Sequence, residues 1–148
     1  KPVEASLESV KGEPPAGALP GQCRDIDHAF GAATLAEVER RLGGSEWGRE
    51  RLAELAQRSP LSQAVTFAQL RRGAGMADLA EALRLEYRMV HRFLAGHDFP
   101  EGVRALLVDK DRKPRWLHGS TAEVAQAEID AVMAPLPDGD LSFDWQGV

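Results

Sequence analysis

The run Phe93-Leu-Ala-Gly-His-Asp-Phe-Pro-Glu-Gly-Val-Arg-Ala-Leu-Leu-Val-Asp-Lys-Asp-Arg-Lys-Pro-Arg-Trp116 decides how this chain folds. It joins the end of one helix, the start of another and a cation-rich loop closed by an aromatic residue. Gly96 can end the first helix in a left-handed conformation, which glycine adopts without steric penalty. Asp98 can cap the second helix. Pro100 stands where its missing N–H is no loss, and Glu101 can reach back to the cap. Val103, Leu106 and Leu107 then give this helix its apolar positions. Beyond them the character changes. Arg104, Lys110, Arg112, Lys113 and Arg115 fall within twelve residues, interrupted by Asp109 and Asp111.

Working outward, the strongest periodicity lies just upstream. Leu79, Leu83, Tyr87, Val90 and Leu94 recur at helical steps and predict a helix over about Asp78 to Ala95, with these residues as its core-facing stripe. Earlier segments carry start and stop signals. Thr34-Leu-Ala-Glu37 reads as a capping box, with Val38 and Leu42 on the apolar face and Gly43 as the stop. Ser45 opens a helix to about Arg58, in which Leu52, Leu55 and Ala56 share a face. Ser59 caps another, with Pro60 in its first turn and Gly73 after Arg72. Asp25 to Phe30 fits a helical turn or two ended by Gly31. Downstream, Thr121 to about Met133 reads as a last helix, stopped by Pro135 and Pro137, with Phe143 and Trp145 available for docking.

Residues 1–22 hold four prolines and three glycines and read as a linker, with a short helix suggested at Val3 to Val10. Residues 23–148 read as one helical region. No alternating strand pattern or repeat is found, so the expected fold class is all-α.

Bulk composition narrows the function classes. The chain has 148 residues, 43% of them hydrophobic, and a net charge of −5. That balance argues against nucleic acid or an anionic membrane as partner, since both favour broad positive surfaces. No apolar run approaches the roughly 20 residues that span a bilayer. Cys23 is the only cysteine, so no internal disulfide exists and a reducing compartment is the default.

The quoted run resembles the C-terminal signature of the crotonase superfamily, whose members act on acyl-coenzyme A thioesters. Gly96-His-Asp-Phe-Pro-Glu-Gly-Val-Arg-Ala105 with Asp109-Lys-Asp-Arg-Lys-Pro-Arg-Trp116 is similar to the 3-hydroxyisobutyryl-coenzyme A hydrolase branch. The resemblance takes in Ile26-Asp-His-Ala-Phe30, Ser59-Pro-Leu-Ser62, Glu86-Tyr-Arg88, Ala134-Pro-Leu-Pro137 and Asp140-Leu-Ser-Phe143, roughly residues 23–145.

It implies that the chain is a C-terminal helical segment covering a ββα spiral core that is missing here. It further implies the C-terminal part of a thioester hydrolase of valine catabolism, inactive alone. The absent initiator Met fits that expectation. An enoyl-coenzyme A hydratase or isomerase with the same cover is the nearest alternative. A non-catalytic helical interaction module is the alternative of another class. Expected partners are an acyl-coenzyme A substrate, the N-terminal crotonase core and possible further copies of the chain. The expected location is the bacterial cytoplasm, or the mitochondrial matrix in a eukaryote.

Few residues offer chemistry. His28, His91, His97 and His118 show no metal-ligand spacing, and structural or solvent-facing roles are expected of each. His97, at the corner, can bond the carbonyls of the preceding helix end. No nucleophile elbow or phosphate loop occurs, and no catalytic residue is nominated. Glu86 and Arg88 read as an edge ion pair to an adjacent helix, or as groups orienting their helix over the active site.

The basic cluster is the better candidate. Coenzyme A carries a 3′-phosphorylated ADP, a multiple anion that Lys or Arg can neutralise. In crotonase relatives a lysine of this motif approaches the nucleotide, and the matching residue is Lys110. An extra residue between lysine and arginine shifts the register here. The alternative is a solvated turn held by Asp–Lys pairs. Trp116 is expected to be a packing anchor. No cofactor is expected, because coenzyme A enters as part of the substrate.

Overall fold

The computed structural model describes residues 12, 17 and 19–143. The helix suggested at Val3 to Val10 and the docking residue Trp145 lie outside the described residues. Among the described residues seven α-helices follow in order: α1 (Leu19–Phe30), α2 (Leu35–Leu42), α3 (Glu46–Leu55), α4 (Pro60–Gly73), α5 (Leu79–Ala95), α6 (Asp98–Val103) and α7 (Gln126–Met133). A π turn (Arg104–Val108) continues α6, and a 3-10 turn (Thr121–Glu123) precedes α7. No strand occurs among the described residues.

The helix starts are set by side chains that accept an otherwise orphaned N–H. Thr34 Oγ1 accepts from Glu37 N (3.2 Å), Ser45 Oγ from Gly48 N (3.0 Å), Ser59 Oγ from Ser62 N (3.0 Å) and Asp78 Oδ1 from Glu81 N (2.8 Å). Glu37 leaves its capping-box role incomplete. Its carboxylate pairs with Arg40 and Arg41 instead, and their hydrogen bonds lower its pKa to about 2.

Several ends differ from the sequence expectation. Helix α1 begins at Leu19 rather than Asp25, with Pro20 in its first turn. Helix α3 stops at Leu55 rather than Arg58, and the Gln63 side chain donates to both the Leu55 and Arg58 carbonyls (3.1 Å each). Gly96 is extended (φ −86°, ψ −178°) rather than left-handed, so its freedom is not used. The last helix is split because Ala125 is extended (φ −73°, ψ 144°). Glu128 then accepts the Ala125 N–H at 3.0 Å and restarts the helix.

Two apolar clusters are buried among the described residues. Ala29, Ala32, Val38 and Leu42 are buried with Leu35, Trp47, Leu52 and Leu55 against them. Val65, Leu85, Met89 and Met133 form the second, with Leu61, Met76, Phe93, Ile129 and Val132. Helix α4 serves both, giving Phe67 to the first and Val65 to the second. Gly48 is required where α3 crosses α2, because a Cβ there would lie 2.0 Å from the Leu42 carbonyl oxygen.

Helix α5 turns a different face inward from the one expected. Leu85 and Met89 are buried, whereas Leu79 (73% exposed), Leu83, Val90 and Leu94 face solvent. The helix carries two apolar stripes, and periodicity alone does not choose between them.

Candidate functional site

The corner between α5 and α6 is fastened by Asp98. It is 5% exposed and accepts from Ser59 Oγ (2.5 Å) and the Leu117 N–H (2.9 Å), with His97 Nδ1 3.1 Å away. Asp98 therefore does not cap α6, as the sequence suggested; its carboxylate joins the start of α4 to the chain beyond the cation loop. Burial pushes its pKa up. The hydrogen bonds from Ser59, His97 and Leu117 outweigh that and hold it below the usual value. His97 bonds Asp98 rather than the carbonyls of α5.

Past this corner α6 passes into the π turn, where the Asp109 N–H reaches the Arg104 carbonyl at 2.8 Å. The wider turn brings Arg104 over its own C-terminal loop. Its Nε and Nη2 grip Glu101 (2.8 Å each), and Nη1 donates to Asp109 (2.6 Å) and Asp111 (2.8 Å). Nη2 also donates to the Lys113 carbonyl at 3.2 Å. Glu101 receives the Arg115 N–H as well (2.8 Å). Hydrogen bonds from Arg104 and then from Arg115 hold the Glu101 pKa at about 2. Arg104 in turn is raised, by Glu101 first and then Asp111 and Asp109. Asp111 is lowered by Arg104 and by the Lys113 N–H.

This geometry separates the basic cluster into two groups. Arg104 is consumed internally and cannot serve an external anion. Lys110, Arg112, Lys113 and Arg115 are exposed, and none makes a side-chain ion pair among the described residues. The Asp–Lys pairs of a solvated turn are not formed, because Asp109 and Asp111 point to Arg104. Lys110 (φ 57°) and Arg112 (φ 55°) both hold left-handed backbone, which is unusual for non-glycine residues. Trp116 packs on Gly102, where a Cβ would come within 3.3 Å of the indole. It is a packing anchor of the loop.

The remaining candidates lie elsewhere. Arg88 pairs with Asp140 of the tail (2.5 and 2.9 Å) rather than with a helix, and Glu86 accepts from Gln69 of α4. His91 lies against Tyr87 with ring centroids 4.3 Å apart. His118, not distinguished from the other histidines by sequence, is half-buried with Nε2 3.1 Å from Glu128. Cys23 is exposed and bonds the Leu19 carbonyl. An apolar cleft of about 450 Å³ opens between Leu35, Phe67, Ala68, Val124 and Ile129. Its polar neighbours are already engaged: Thr121 donates to Glu39 (2.6 Å), and Arg71 donates to the Ala32 carbonyl. Among the described residues no group of three or more His, Cys, Asp or Glu could hold a metal ion, and no helix is long and apolar enough to cross a membrane.

The family described as enoyl-CoA hydratase/isomerase matches residues 2–133. A mitochondrial 3-hydroxyisobutyryl-CoA hydrolase of Dictyostelium discoideum is 40% identical over 123 residues, 80% of this chain and 32% of that protein. The Homo sapiens protein of the same description is 37% identical over 120 residues, 80% of this chain and 31% of its own. Among solved structures, an enoyl-CoA hydratase from Rhodobacter sphaeroides 2.4.1 superposes with a TM-score of 0.83 at 39% identity, covering 95% of this chain and 44% of that one. A carnitinyl-CoA dehydratase from Mycobacterium thermoresistibile gives 0.86 at 35% identity, covering 96% and 41%. The chain spans about a third of the curated relatives and less than half of the solved ones.

These findings correct one expectation. A C-terminal helical segment that merely covers a missing ββα core does not describe this chain. The family match starts at residue 2, within the stretch read as linker, and the structural likeness covers 95% of the chain. The helices also bury two apolar clusters against one another among the described residues.

Proposed function

The chain belongs to the enoyl-CoA hydratase/isomerase family, and on that premise we propose that its protein hydrolyses an acyl-coenzyme A thioester resembling 3-hydroxyisobutyryl-coenzyme A. Support comes from the curated relatives at 37–40% identity and from the hydrolase-like run through Asp109-Lys-Asp-Arg112. In this reading coenzyme A arrives as part of the substrate. Lys110 neutralises its 3′-phosphorylated ADP, with Arg112, Lys113 and Arg115 adding positive potential around the phosphates.

One observation carries the assignment to Lys110. The carboxylates next to it in sequence are drawn onto Arg104, so its ammonium is left without an internal partner among the described residues. A solvated brace would instead be paired with them. The test compares Lys110→Ala with the parent enzyme on a coenzyme A thioester and on a pantetheine thioester. A loss of about tenfold to a hundredfold in binding is expected on the first. The second, lacking the nucleotide, should change little. Equal losses on both would reduce Lys110 to a structural role.

A second reading is favoured by the solved relatives, one described as a hydratase and the other as a dehydratase. Hydration or dehydration would change the acyl chain without freeing coenzyme A. Release of free thiol from 3-hydroxyisobutyryl-coenzyme A supports hydrolysis. Gain of 2-enoyl absorbance from that substrate, or its loss from a 2-enoyl-coenzyme A, without thiol release supports the second reading.

A further inference from the structure

We infer that Arg104 is a positioning residue that sorts the 109–115 loop, engaging its carboxylates and leaving its cations unpaired for an incoming nucleotide. The inference rests on the reading of Lys110 as a coenzyme A contact, and it concerns how that contact is kept available.

The guanidinium has five N–H groups, and the loop and α6 supply five acceptors. Nε and one Nη2 hydrogen meet the two oxygens of Glu101, the other Nη2 hydrogen meets the Lys113 carbonyl, and the Nη1 pair meets Asp109 and Asp111. Only a planar five-donor fork fills that set; a lysine ammonium has three donors and no fork. The acceptors stand at alternate positions, 109, 111 and 113. The residues between them, Lys110 and Arg112, take the left-handed conformations. Such backbone persists where its surroundings over-determine it. Here the Arg104 fork holds both flanks, and the Arg112 N–H is fixed on the Ala105 carbonyl at 3.0 Å.

The sorting also has an electrostatic consequence. Asp109 and Asp111 adjoin Lys110 and Arg112 in sequence. Released from Arg104, they would be free to pair with those cations and cancel the charge offered to a phosphate. Arg104 thus protects the loop from its own carboxylates while touching no ligand itself.

At Asp111 the positioning role of Arg104 and simple charge counting have opposite signs. Removing Asp111 takes a negative charge away from an anion-binding loop, so Coulomb attraction alone predicts tighter binding. If Asp111 is a strut on Arg104, its loss loosens the loop and weakens binding. Calorimetric titration with coenzyme A, and with pantetheine as the nucleotide-free control, reads the difference. Asp111→Ala and Arg104→Lys are each expected to weaken coenzyme A about tenfold and to leave pantetheine unchanged.

Coenzyme A binding by Asp111→Ala as tight as the parent's, or tighter, overturns the inference. Should Arg104→Lys fail to fold, Asp111→Ala decides alone. Lys110→Ala run alongside separates the two claims. If Lys110→Ala weakens coenzyme A and Asp111→Ala does not, only the positioning role falls. If Lys110→Ala also binds like the parent, the nucleotide reading of the loop falls with it.

Discussion

Asp98 and Arg104 stand near opposite ends of the same short helical stretch and fasten it by opposite means. Asp98 is a buried carboxylate served by a hydroxyl, a backbone N–H and an imidazole. Arg104 is a half-buried cation served by three carboxylates and a carbonyl. The first takes polar groups out of water and ties segments far apart in sequence. The second gathers charges that water would otherwise solvate and ties only its own loop. A buried anchor thus governs stability, whereas a half-buried one at the surface governs which charges that surface presents.

The largest effect should come from Asp98→Ala. It strands the Ser59 hydroxyl and the Leu117 N–H, and a buried polar group left unpaired costs about 1–3 kcal/mol, so a loss of about 3 kcal/mol is expected by urea denaturation. Asp98→Asn, which keeps one acceptor, should lose less. Equal stability of all three proteins would dissolve the distinction between the two anchors.

Gly102→Ala comes next. The new methyl meets the Trp116 indole at 3.3 Å and forces a small shift of the loop, at a cost of about 1 kcal/mol. The same denaturation measurement checks it, and an unchanged midpoint would mean that Trp116 yields freely.

Acid should loosen both anchors. The folded pKa values of Asp98 and Glu101 are depressed, so each contributes stability that is present above its unfolded pKa and lost as pH falls through the folded one. For Glu101 the window runs from 4.5 down to about 2. Unfolding measured across that window should show stability falling with pH, with a shallower fall in Glu101→Gln. An identical slope in the mutant would remove Glu101 from the linkage.

The smallest stability effect belongs to Lys110. Exposed and without a side-chain ion pair among the described residues, it can be replaced by Ala with little change in the unfolding midpoint. Lys110→Gly should raise the midpoint slightly, because glycine accepts φ 57° without strain, even as nucleotide binding falls. A large drop in stability for either variant would turn Lys110 back into a brace.

Much of the helical framework was legible because its signals are local. Thr34 and Ser59 each accept the N–H three residues on, as their sequence positions suggested, and Ser45 and Asp78, read only as helix starts, do the same. What was not legible depends on distance or on choice. Asp98 looked like a cap because its partner Ser59 lies 39 residues away. The inward face of α5 was misread because Leu85 and Met89 compete with a second apolar stripe, and their buried partners, Val65 and Met133, come from α4 and α7. At the candidate site the cations could be counted in sequence. Their division into one consumed and four presented could not, because the π turn that brings Arg104 over the loop has no side-chain signature.

The contact between Trp116 and Gly102 also makes this corner an optical reporter. The chain has three tryptophans, at 47, 116 and 145. With Trp47 and Trp145 replaced by phenylalanine, its indole emission would come from the single ring that caps the loop. Because that ring rests against the backbone of α6, a shift of the loop would change its exposure to water and hence its emission. Loading of the cation loop could then be watched directly, as a change of colour and intensity rather than a rate of turnover.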